Sequence, residues 1–296
     1  MSVQSKVTNM FLKSMSNNIL DQLEKYDEQV KMSNRKLVLL PKGVEAKDIK
    51  VNCMMSEILT KKGNDKGLVF YIHGGGFTTG SAIERRMITQ YIVDRYGYDC
   101  ISINYRLSPE YRWPTHLDDC FEAYQNVLKD YDHKDIVLMG ESAGGQLVLS
   151  LCLLCKMKDI PLPKAIVSFS PCTDHFDDLP SHRNNIETDY MLKDLIVKGL
   201  IEPMFGRELS DEELKDPLLS PYFGDYSGLP PIFLSVSDCE TLYDDTMILY
   251  EKLVKNNHIV EIDIKKDMCH AFPIMTFIPE AKDTLDKCFD FIKKHA

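Results

Sequence analysis

The pentapeptide Gly140-Glu141-Ser142-Ala143-Gly144 sets a serine between two glycines. It directly follows the strand-like run Ile136–Met139 and precedes, across Gly145, the helix-like run Gln146–Met157. A serine hydroxyl works as a nucleophile when a sharp strand-to-helix turn lifts it clear of the sheet, and flanking glycines give that turn its room. The five-residue pattern is common by composition alone, so the flanking strand and helix carry the assignment, with a Gly-rich packing turn as the plain alternative. A phosphate loop is excluded, because Gln146-Leu147 stand where Lys-Ser/Thr would be required.

A nucleophile that attacks a carbonyl also needs hydrogen-bond donors where negative charge develops. His73-Gly74-Gly75-Gly76-Phe77 follows the apolar run Leu68–Ile72, and three successive glycines at a strand exit expose several backbone N–H groups on one concave surface. A dinucleotide fingerprint is the rival. It fails, because the third glycine falls at Gly80 and not at position 79. His73 itself is expected to be packed or positioned and not the base. A base and an orienting acid are expected downstream, in the chain order serine, acid, histidine. His270 lies just past the run Ile259–Ile264, on a loop leaving that strand's carboxyl end. Upstream, the run Pro231–Val236 leads into Ser237-Asp238-Cys239-Glu240, which offers two carboxylates, Asp238 and Glu240, at one strand exit. Helix capping is the other use of such a carboxylate.

These residues must be held by strands with a common carboxyl edge, and the sequence supplies them. From Gly67 onward, Leu68–Ile72, Gly97–Ile103, Asp135–Gly140, Ala165–Ser170, Pro231–Val236 and Ile259–Ile264 are short apolar or β-branched runs with helical patterns between most of them. Alternation of this kind predicts an α/β fold with a mostly parallel sheet covered on both faces. Between Ser170 and Pro230 no strand pattern occurs. That stretch holds a charged helix-like segment (Asp189–Ile201), an acidic one (Ser210–Lys215) and a turn-rich run, and it reads as an insertion over the sheet's carboxyl edge, where such sheets bind ligands. Near the start, Val7, Met10, Phe11, Met15, Ile19, Leu23, Tyr26 and Val30 recur at helical spacing and predict an amphipathic helix.

Composition narrows the class further. The chain has 296 residues, 44% hydrophobic and 27% charged, as in ordinary globular proteins. The net charge of −10 argues against nucleic acid or an anionic membrane as partner. The longest apolar stretch, Leu147–Cys155 with Ser150 inside it, falls well short of the roughly 20 residues a bilayer span needs. No apolar signal core opens the sequence, and nine scattered cysteines without glycosylation sequons point to a reducing, cytoplasmic setting. Cys152, Cys155 and Cys269 are expected to pack as small apolar side chains, and Asp118 and Asp119 to fix a loop. Asp177, Asp178, Asp211, Glu212 and Glu213 are expected to form solvated surface and not a metal site.

Taken together, the chain from about Lys66 onward resembles the hormone-sensitive-lipase-like branch of the α/β-hydrolase superfamily. The resemblance lies in HGGGF with Gly80, in Tyr105-Arg106-Leu107-Ser108-Pro109-Glu110 with Pro114 and Asp118, in Gly140–Gly145, in Leu229-Pro230-Pro231 and in His270-Ala271-Phe272. It implies Ser142 as nucleophile, His270 as base, and the N–H groups of Gly75, Gly76 and Ala143 as oxyanion hole. The family places its acid two residues before a Leu and four before an Asp; Glu240, Leu242 and Asp244 match that spacing and Asp238 does not. Glu141 matches an acidic position expected to buttress the turn. The residues before about 60 match only as an amphipathic helical region, and the resemblance implies a single domain with cap elements at approximately 1–45 and 172–228. The implied activity is hydrolysis of short- to medium-chain acyl esters, with no metal or cofactor. An amidase or formamidase with the same triad, or a non-catalytic small-molecule binder on this scaffold, is the alternative; homo-oligomer formation is left open.

Overall fold

A computed structural model describes residues 1–15, 39–52, 54–176, 178–192 and 197–296. Eight strands form one mixed sheet in the order β1-β2-β4-β3-β5-β6-β7-β8. They span β1 Val44–Val51, β2 Met54–Lys61, β3 Leu68–Ile72, β4 Asp99–Ile103, β5 Ile136–Glu141, β6 Ala165–Phe169, β7 Ile232–Ser237 and β8 Val260–Lys265. The helices are α1 Val3–Met15, α2 Arg86–Arg95, α3 Thr115–Val127, α4 Ala143–Met157, α5 Pro180–Asn184, α6 Ile201–Phe205, α7 Asp211–Leu214, α8 Tyr243–Lys255 and α9 Pro279–His295.

Side chains alternate across a strand, so each central strand supplies two cores. Leu68, Phe70 and Ile72 of β3 face α3, α4 and α8 through Leu117, Tyr124, Leu147, Leu151 and Leu249. Val69 and Tyr71 face α2 and α9 through Ile88, Ile92, Leu285 and Phe289. β3 through β8 pair in parallel, which brings the carboxyl ends of β3, β5, β6, β7 and β8 to one edge.

The hairpin β1–β2, whose second strand runs antiparallel to both β1 and β4, corrects the expectation that the residues before 60 are helical. Its first strand carries Glu45, Lys47, Asp48 and Lys50. That charge protects the sheet's edge and hides the period of two that would have revealed a strand. In β2 the buried Glu57 pairs with Arg86 of α2, Oε1 to Nη2 at 2.5 Å, which pins helix to sheet.

α1 is a helix as expected, but its apolar stripe faces outward: Val7, Met10 and Phe11 are exposed. Its inner side consists of Ser2 and Ser5 on Glu280, Asn9 Nδ2 donating to the Asp267 carbonyl at 2.7 Å, and Leu12 against Met268 and Phe272. Ile19, Leu23, Tyr26 and Val30 lie outside the described residues. Between β6 and β7 no strand occurs among the described residues. The expected helix over Asp189–Ile201 is corrected: a turn follows Asp189, and after residues 193–196, which lie outside the description, a 3-10 turn at Val197–Leu200 leads into α6. The acidic segment does form a helix, α7, closed by a capping box between Ser210 and Glu213. Among the described residues no helix is long and apolar enough to cross a membrane.

Candidate active site

β5 ends at Glu141 and α4 begins at Ala143, so Ser142 makes the turn alone. Its φ of 56° and ψ of −123° lie where side-chain-bearing residues are strained by about 1–3 kcal/mol, and such strain gathers at functional sites. The turn is held by the Ser142 N–H on the Phe169 carbonyl and the Gln146 N–H on the Ser142 carbonyl, both at 2.9 Å. Gly144 leaves no space for a side chain, since a Cβ there would come within 2.1 Å of the Ile72 carbonyl oxygen. This close approach sets the first turn of α4 against the exit of β3, where the glycine loop begins.

Gly75 has φ +119°, and a Cβ on it would lie 2.2 Å from the Thr79 carbonyl oxygen. Among the described residues no acceptor takes the N–H of Gly75, Gly76 or Ala143. Glu141, 1% exposed, ties the loop to the turn. Its Oε1 accepts from Gly74 N–H at 2.6 Å and Arg85 Nε at 2.5 Å, and its Oε2 accepts from Tyr71 Oη at 2.5 Å. Burial and the adjacent Glu141 charge push the Tyr71 phenol well above its ordinary pKa, so it stays a donor. His73 stacks on Tyr105 with ring centroids 4.4 Å apart, and its Nδ1 donates to the Gly74 carbonyl at 2.7 Å.

The two downstream carboxylates take different places. Glu240 is buried and its Oε2 accepts from His270 Nδ1 at 2.7 Å, while its Oε1 accepts from Ser237 N–H at 2.7 Å and Ser170 Oγ at 3.0 Å. Asp238 is exposed, and its Oδ1 accepts from the Asp267 N–H at 2.8 Å, fixing the start of the histidine loop. His270 is 4% exposed, and its Nε2 has no hydrogen-bond partner among the described residues, Ser142 included. Contacts between nucleophile and base commonly tighten only around substrate. Burial by itself would push the imidazole pKa down; the hydrogen-bonded Glu240 carboxylate, with Asp189 and Glu141 farther off, outweighs burial and raises it.

The remaining candidates are structural. Cys152 and Cys155 are buried in α4, and Cys269 packs with Met268, Phe272, Ile278 and Ala281, where burial pushes its thiol well up. Asp119 accepts from the Arg106 N–H at 2.9 Å and from its Nη2 at 2.6 Å, fixing the loop after β4. Asp178, Asp211, Glu212 and Glu213 are exposed, and Asp177 lies outside the described residues. Among the described residues no group of His, Cys, Asp or Glu could hold a metal ion. Four residues around the site escaped the sequence reading: Tyr71, Arg85, Ser170 and Asp189. Ser170 had a usable signal, being the polar residue that ends the β6 run; the others have none in local pattern.

The model of the alpha/beta hydrolase fold matches residues 69–274. An esterase of Acinetobacter venetianus is 29% identical over 84% of this chain and 82% of that protein. An acetyl-hydrolase of Streptomyces hygroscopicus is 27% identical over 77% of this chain and 76% of its own length. Among solved structures, a hormone-sensitive lipase from a metagenome library superposes with a TM-score of 0.88 at 27% identity, covering 99% of this chain and 97% of that one. An esterase from the bacterial hormone-sensitive lipase family superposes with a TM-score of 0.87 at 25% identity, covering 100% and 99%. With the mixed sheet, the strained serine turn and these likenesses in hand, the chain belongs to the alpha/beta hydrolase family, in its hormone-sensitive-lipase-like branch.

Proposed function

We propose that the chain is a serine carboxylic-ester hydrolase for short- to medium-chain acyl esters, working through Ser142, His270 and Glu240. The observation that carries the assignment is the buried Glu240–His270 pair, whose imidazole Nε2 has no partner among the described residues, at the sheet edge that also presents Ser142. Because Nδ1–H is committed to Glu240, the lone pair sits on Nε2, the tautomer a general base requires. His270 takes the Ser142 proton as the hydroxyl attacks the ester carbonyl, and Glu240 stabilises the imidazolium. The N–H groups of Gly75, Gly76 and Ala143 receive the oxyanion; one such donor is worth about 10²–10³ in rate. The alcohol leaves with the proton from His270, and water then deacylates Ser142 by the same route.

Cap elements are read at approximately 1–45, up to the start of β1, and at approximately 172–228. Supporting this, a Cβ built on Gly76 would lie 3.0 Å from Leu200 Cδ2, so the excursion reaches the oxyanion loop and narrows the space for an acyl chain. A reducing, cytoplasmic setting fits the free thiols of the eight described cysteines. The test is covalent labelling by a fluorophosphonate together with a panel of p-nitrophenyl esters. Labelling should be lost in Ser142→Ala, and turnover should be fastest at acyl chains of about eight carbons or fewer, since a lipase surface needs a larger apolar lid. Labelling that persists in Ser142→Ala, or fastest turnover of long-chain triglyceride, would overturn the proposal. Faster cleavage of a matching anilide would make the enzyme an amidase.

A further inference from the structure

Besides its bonds to the histidine loop, the loop that carries Glu240 is held from outside the sheet by side chains at positions 181–189. Asn185 Nδ2 donates to the carbonyl of Glu240 at 2.8 Å and of Asp238 at 3.3 Å. Thr188 Oγ1 donates to the Cys239 carbonyl at 3.0 Å, and Ser181 Oγ to the Thr241 carbonyl at 2.7 Å. Four successive carbonyl groups around the acid are thus taken by one neighbouring segment. Asp189, 2% exposed, completes the grip: its Oδ2 accepts from both the N–H and the Oγ1 of Thr241 at 2.8 Å. Its Oδ1 accepts from the N–H groups of Met191 and Leu192 at 3.1 and 3.0 Å. The loop's own backbone closures are 3.3 Å from Glu240 N–H to the Ser237 carbonyl and 3.2 Å from Tyr243 N–H to the Glu240 carbonyl, beside the 2.7 Å bond from Ser237 N–H to Glu240 Oε1.

We propose that Asp189, with Asn185, Thr188 and Ser181, is a positioning residue for the catalytic acid, so that the excursion clamps Glu240 onto His270 as well as covering the site. The proposal rests on the assignment of Glu240 and His270 above. A carboxylate with four donors is a strong anchor, because hydrogen bonds to an ionised acceptor are about twice as strong as neutral ones. Glu240 reaches His270 through one bond, and a misplacement of about 1 Å in such a group can cost about 10² in rate.

The charged groups facing His270 are Glu240 from the β7–α8 loop, Asp189 from the excursion and Glu141 from the serine turn. The neighbouring Cys239 thiol is pushed up to about 11 by burial, and that of Cys269 is also raised, so both are neutral where the enzyme would work. Removing the Asp189 charge therefore lowers the imidazole pKa and moves the acid limb of kcat/KM to lower pH, as any loosening of the Glu240–His270 contact also does, whereas a structural role away from that pair would leave the limb in place.

The experiment is a double-mutant cycle of Asp189→Asn and Glu240→Gln on p-nitrophenyl butyrate, with kcat and KM measured from pH 5 to 9 and folding followed by melting. Asp189→Asn should lower kcat by about ten- to a hundredfold with KM little changed, shift the acid limb downward, and cost nothing further in the Glu240→Gln background. An unchanged kcat and acid limb, or a loss that persists in full in the Glu240→Gln background, overturns the clamp. Full activity of Glu240→Gln itself would instead overturn the underlying triad. Should Asp189→Asn fail to fold, the Asn185→Ala/Thr188→Ala variant, altered at a half-buried and an exposed position, carries the same expectation for kcat and for the cycle.

Discussion

Replacing Glu240 by Gln keeps the shape of the acid and removes its charge, and the surrounding donors determine the damage. Glu240 Oε1 serves Ser237 N–H and Ser170 Oγ, while Oε2 serves His270 Nδ1. A glutamine that keeps its oxygen on Ser237 N–H turns its NH₂ toward His270, so Nδ1 must accept and Nε2 carries the proton. In that tautomer His270 cannot take the Ser142 proton. The flipped amide restores the tautomer but sets NH₂ against the Ser237 N–H, leaving two buried donors facing each other. Stranding such a group costs about 1–3 kcal/mol, which disfavours the productive tautomer by roughly ten- to a hundredfold. Loss of a charge-assisted bond to the imidazolium, about 1.5–3 kcal/mol, removes a similar factor again. The combined loss in kcat is therefore about 10²–10⁴, the upper end matching the corresponding change in the triad template. Asp238→Asn touches one exposed bond to Asp267 N–H and should cost tenfold or less (roughly 1 kcal/mol). Steady-state kcat for both variants, with folding checked by melting, decides between the carboxylates. A crippled Asp238→Asn beside an active Glu240→Gln would refute the reasoning.

Ser142→Ala and His270→Ala should each abolish nearly all turnover, and the double variant should be scarcely worse, because the two act as one unit; kcat of the three variants measures this. Activity should fall as pH drops through the His270 pKa, since the protonated ring cannot accept the serine proton. Because Glu240 holds that value up, the acid limb of kcat/KM should lie above the ordinary imidazole value of about 6.5, which a pH–rate profile locates. Glu57→Gln removes the carboxylate of a buried ion pair with Arg86 and should cost about 3 kcal/mol, read from the midpoint of urea unfolding, while kcat of the folded fraction stays near wild type. Gly144→Ala should prevent α4 from closing on β3 and depress both stability and fluorophosphonate labelling.

The sequence determined the parts of this protein that local physics encodes. Strands buried on both faces read as continuous apolar runs, which made β3 to β7 visible in the sequence, and the alternating β-branched run of the edge strand β8 showed it too. Ser142 was visible because a strained turn demands glycines around it, and the glycine loop because side chains would collide there. The charged edge strand β1 was not visible, since its surroundings and not its period make it a strand. The spacing to Leu242 and Asp244 already pointed to Glu240 and not Asp238, but the physical reason lies in the tertiary structure: the two are two residues apart, and the path of the loop buries one against His270 and exposes the other. Tertiary structure alone brought Ser170, Arg85 and Asp189 to the site. The hydrogen bonds from Ser170 to Glu240 and from Thr241 to Asp189 span tens of residues and depend on where buried backbone ends meet, a property no short stretch of sequence contains.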